Sequence, residues 1–97
     1  MIRMKPNNLL VDLNAEDNLQ KKKISECIID LESQLNLLNL SREEVADKTE
    51  IPLDKLIKME NADMSFNIED YINVTLDLIV MLTHKAIDEI NSNLPKL

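Results

Sequence analysis

Ninety-seven residues, 44% apolar and carrying a formal net charge of -7, describe one small domain with a modest core rather than a two-domain enzyme. The absence of any Gly excludes the glycine-dependent loops of Walker and dinucleotide-binding motifs, which need backbone that approaches phosphate without a Cβ. An excess of 18 acidic over 11 basic side chains opposes non-specific attachment to nucleic acid or anionic membrane.

Aromatic content of 2% and scattered β-branched residues argue against an all-β architecture, leaving an all-α bundle as the expected fold. A single cysteine, Cys27, forms no internal disulfide, and the first residues lack the apolar stretch of a secretory signal; a cytoplasmic setting is expected. The longest apolar run, Leu78 to Leu82, is far shorter than the roughly 20 residues that span a bilayer.

Residues 1–14 hold Pro6, Asn7 and Asn8 and a short alternation of Leu9, Val11 and Leu13, and read as an N-terminal arm. Disorder, docking on a second subunit and pairing as a short strand all stay open for it. From Asn14, a suitable N-cap with Glu16 and Asp17 following, no breaker occurs until Asn39, which predicts a first helix over about 15–38. Ile24, Ile28, Leu31, Leu35 and Leu38 recur at alternating spacings of four and three and draw one core stripe, widened by Cys27 and Leu37. Lys21, Lys22 and Lys23 read as a solvated turn. Asn39 suits the left-handed position that ends the helix.

Ser41-Arg42-Glu43-Glu44 is a capping box and predicts a short helix over about 42–49. A tight connection through Pro52 leads into a third helix starting near Leu53. After a polar connection, Asn67 caps a fourth helix whose apolar residues continue without Gly or Pro to Pro95, so that one helix of about 68–93 is expected. Domain organisation is thus an arm, 1–14, and a helical domain, 15–97. His84 has no His or Cys nearby and reads as a surface residue, adjacent acids diverge on their helices, and no constellation suggests catalysis, a metal or a cofactor.

The segment Leu40-Ser41-Arg42-Glu43-Glu44-Val45-Ala46, followed by Ile51, Leu56 and Met59-Glu60-Asn61, resembles the helix-turn-helix of the lambda-repressor-like, Cro/XRE-type family. The similarity covers about residues 24–78. It departs from the family's pattern at Glu50 and Ala62, both positions where the family usually carries Gly, and at the missing break after Leu78. The resemblance implies a recognition helix in the major groove of duplex DNA. Carried over by position, Leu53, Asp54 and Lys58 would face bases, Arg42 and Asn61 would hold phosphates, and Lys55 would be a further contact.

The last helix is apolar around most of its circumference, and Ile72, Ile79 and Ala86 repeat every seven residues, as do Thr75, Leu82 and Glu89 with poorer character. Ile72, Leu76, Ile79, Leu82, Ala86 and Ile90 are therefore expected to meet another chain. The expected function is a small homodimeric transcriptional regulator binding operator DNA. The alternative is a protein-interaction module, or an antitoxin-like regulator, that uses the same scaffold to hold a protein partner.

Overall fold

The computed structural model describes residues 6–94, with side-chain surroundings from Glu16 onward. Four helices make up the fold: α1 (Pro6–Leu37), α2 (Arg42–Thr49), α3 (Leu53–Glu60) and α4 (Ile68–Asn93). The chain is all-α, and no strand occurs among the described residues.

α1 begins at Pro6 rather than near residue 15, so the arm reading is corrected from Pro6 onward. Proline is well placed at the first position of a helix, where its missing N–H has no partner to lose. The alternation of Leu9, Val11 and Leu13 was too short to outweigh a run without breakers, and Asn14 lies inside the helix. Residues 1–5 of the expected arm, and Pro95 beyond α4, lie outside the described residues.

α1 ends as its sequence predicts. Asn39 adopts a left-handed φ of 69°, the Leu40 amide donates to the Leu35 carbonyl at 3.0 Å, and the Asn39 amide donates to Asn36 at 2.9 Å. These are the paired bonds that close a helix C-terminus. α2 opens on the Ser41 capping box, with both reciprocal hydrogen bonds present. Three residues, Glu50 to Pro52, join it to α3, and Glu50 takes the left-handed conformation at φ 62°. Asn67 caps α4 by accepting from the Asp70 amide at 2.8 Å.

The core gathers Ile28, Leu31 and Leu35 of α1, Val45 and Ala46 of α2, Leu56 and Met59 of α3, and Tyr71, Val74 and Leu78 of α4, with Leu40 and Ile51 from the connections. α1 and α4 run side by side in the same direction. Lys21 reaches Met64 just before α4, while Gln34 to Leu38 stand beside Leu82 to Ile87. Because α1 stops at Leu37, the last turns of α4 continue beyond it, and the molecule is elongated, 71 × 31 × 17 Å.

Two α1 side chains expected to widen the core do not. Cys27 is exposed, and Leu37 is 81% exposed. At 100° per residue Leu37 points directly away from Ile28, and Cys27 falls at the margin of the stripe. Lys21, expected in solvent, is buried instead.

Candidate functional site

The polar edge of α1 explains Lys21. Lys21, Ser25, Ile28, Glu32 and Leu35 are spaced four, three, four and three, so three polar residues share the core-facing line of the helix. That edge meets the end of α3, whose last carbonyls have no partner within the helix. Ser25 Oγ donates to the carbonyls of Met59 at 2.5 Å and Glu60 at 3.2 Å. Lys21 Nζ donates to Met64 O at 3.4 Å and pairs with Asp17 at 3.0 Å.

Glu32 meets a second carboxylate, Glu60, and both bind Arg42. Arg42 Nη2 donates to Glu60 Oε1 at 2.7 Å, and Arg42 Nε lies 3.7 Å from Glu32 Oε2. The carboxylates are almost enclosed, and their remaining oxygens, Glu32 Oε1 and Glu60 Oε2, are buried without a hydrogen-bond partner. Two ionised carboxylates cannot donate to one another, whereas one proton turns an orphaned oxygen into a donor. Burial, with the hydrogen bond to Glu60 and repulsion by its charge, pushes the Glu32 carboxyl up to about 8 against the pull of Arg42. With its carboxyl raised to about 8, Glu32 favours its protonated form near neutral pH beside Glu60, while Arg42 ties α2 to both acids.

This chemistry bears on the residues expected to face DNA. Arg42 is engaged by two acids from its own chain. Leu53, at the start of α3, is partly buried and packs against the core. Lys55 Nζ sits 4.0 Å from Asp70 and 5.7 Å from the centre of the Phe66 ring, turned toward the α3–α4 connection. Asp54 and Lys58 are exposed on one face and lie 3.9 Å apart. Asn61 closes α3, its Nδ2 donating to Ile57 O at 2.9 Å. The six residues do not form one basic surface, and residues 41–68 hold 4 basic against 7 acidic side chains.

α4 has two apolar faces. Tyr71, Val74 and Leu78 are buried in the core, with the Tyr71 hydroxyl donating to Asp63 O at 2.6 Å. On the opposite side Ile72, Leu76, Ile79 and Ile90 are 43%, 53%, 42% and 59% exposed. Of the other residues expected to meet another chain, Leu82 is partly buried against the core, and Ala86 is half-buried beside the end of α1. Val80, Ile87 and Leu94 are exposed and extend the surface. Their signal was present in the spacing, since Val80, Ile87 and Leu94 repeat every seven residues, beside a row of Leu76, Thr83 and Ile90 rather than Thr75, Leu82 and Glu89.

Among the described residues no group of three or more His, Cys, Asp or Glu side chains is placed to hold a metal ion, and no helix is long and apolar enough to cross a membrane. No family model, curated protein or solved structure matches the chain.

Proposed function

We propose that this chain is a protein-interaction module that binds an apolar helix along the outer face of α4. The observation that carries the reading is the row Ile72, Leu76, Ile79 and Ile90, about half exposed and opposite the buried row of the same helix. Each half-exposed large side chain gains about 1 kcal/mol when the remainder is buried. With Val80, Ile87 and Leu94 the face offers on the order of 7 kcal/mol per chain, comparable to the roughly 4–15 kcal/mol cost of association. Such a face supports reversible binding.

A second reading, duplex recognition by the α2–α3 unit, is favoured by one observation. The three-residue connection holds Glu50 left-handed without glycine, and the exposed Lys58 lies on the helix that follows. Its electrostatics are weak, because Arg42 would have to leave Glu32 and Glu60 to reach a phosphate.

One pair of variants separates the two. Ile79→Asp should abolish association with any chain seated on α4 and leave helix content unchanged, while Lys58→Ala should leave association intact. Fluorescence anisotropy against the duplex upstream of the coding region and a scrambled duplex should show no preference in wild type. Preferential, salt-sensitive duplex binding lost in Lys58→Ala would put the second reading first.

A further inference from the structure

We propose that the helix seated on α4 is α4 of a second copy, running antiparallel, with Ile72 of each copy against Ile90 of the other. This rests on the interaction-module reading and names its partner. Ile72, Leu76, Ile79, Thr83, Ala86 and Ile90 are spaced four, three, four, three and four, the seam of a two-helix pairing. Reversing the helix lays this seam on itself: residue 72 falls opposite 90, 76 opposite 86, and 79 opposite 83.

The shape fits the same register. Where α1 ends, an apolar groove lined by Leu37, Leu38, Thr83, Ala86 and Ile87 opens along α4. Its small residue, Ala86, lies at the level where Leu76 of the second copy arrives. Groove and filling side chain belong to one chain, as a two-fold contact between identical chains requires.

Charge selects the direction. Along the seam and its flanking positions from Ile72 to Ile90, Glu89 is the single ionised residue, so neither an acidic nor a basic partner is specified. One turn before Ile72 in the same seam stands Glu69. A parallel pair would set the two Glu69 carboxylates against each other, whereas the antiparallel pair sets each against Asn93. It also places each α4 N-terminus beside the other's C-terminus, where the helix dipoles attract.

The seam is about 27 Å long at 1.5 Å per residue and about 10 Å wide, well below the roughly 800 Å² per partner of a standard interface. The dimer is accordingly reversible and concentration-dependent.

Sedimentation equilibrium across the micromolar range tests it. The expected result is a monomer–dimer equilibrium that tightens with added salt, since two chains of net charge -7 repel at a distance, and that Ile79→Asp weakens about tenfold or more. In a Cys27→Ser background, Ile72→Cys mixed with Ile90→Cys should give a cross-linked dimer, and Ile72→Cys alone should not. Efficient cross-linking of Ile72→Cys to itself would overturn the antiparallel register. A monomer at every concentration and salt would overturn the second copy as partner. In that case a hydrophobic fluorescent dye bound by wild type and lost in Ile79→Asp retains the interaction-module reading, and no dye binding by either removes it as well.

Discussion

Glu32 stands on the core-facing line of α1, between Ile28 and Leu35, where a charge has no place unless partners meet it. Arg42 and Glu60 are those partners, and the outcome is a dependence of stability on pH. The folded-state value of Glu32 is raised from the ordinary 4.5 to about 8, so between those limits the folded chain holds a proton that the unfolded chain has released. The stability from that proton is fully present below about 4.5 and is lost as pH rises through about 8. Urea unfolding across this window should show a loss on the order of 1–2 kcal/mol, reduced from the full shift because Arg42, on which both carboxylates rest, stands half in solvent. Glu32→Gln keeps a donor for Glu60 and should flatten the profile; the same slope in wild type and variant would show that the titrating group lies elsewhere.

Helix ends carry the main local strain. In a chain without glycine, Asn39, Glu50 and Ala62 take left-handed φ values of 69°, 62° and 58°, which cost a residue with a Cβ about 1–2 kcal/mol each. Ala62 is held there by the end of α3: its amide donates to Met59 O at 3.0 Å, and the Asp63 amide donates to Lys58 O at 3.0 Å. Ala62→Gly relieves the strain, partly offset by the greater freedom glycine gives the unfolded chain. The net gain should be about 0.5–1 kcal/mol, or a few degrees in Tm, read by thermal circular dichroism. A lower Tm for the glycine variant would mean that the Ala62 methyl, partly shielded as it is, contributes more than its backbone costs.

At the scale of the molecule, the core is thin for its length. Among the described residues the buried apolar side chains lie between Ile28 and Leu78, while α1 runs from Pro6 and α4 to Asn93. Domains of this size are stable by roughly 5–15 kcal/mol, and a core confined to part of the helices sets the chain at about the lower limit. Leu56, wholly buried at the centre, should cost about 3 kcal/mol when cut to Ala. Leu56→Ala should therefore melt close to ambient temperature, where Ile79→Asp, altering an outward residue, should melt near wild type at low protein concentration. Near-equal Tm values for Leu56→Ala and wild type would mean that stability comes from association more than from the core.

The class of fold and the positions of α2, α3 and α4 were legible in the sequence, because capping boxes, prolines, asparagines and apolar periodicity act within a few residues of where they stand. The four-three spacing of Lys21, Ser25 and Glu32 with Ile28 and Leu35 held the signal of a polar seam, but the cationic run Lys21 to Lys23 reads as a solvated turn, and the seam became visible only in the structure. Which groups would answer that seam depended on a contact between residues 18 apart, Arg42 with Glu60, and on α3 ending beside Ser25. The outward Leu37 and marginal Cys27 were already implied by helical spacing from Ile28, whereas the tertiary structure alone decided that Arg42 is neutralised within the chain and which of α4's apolar faces is left open. Those outcomes follow from where α1 stops along α4, and no short-range preference encodes the relative placement of two helices some 30 residues apart in sequence.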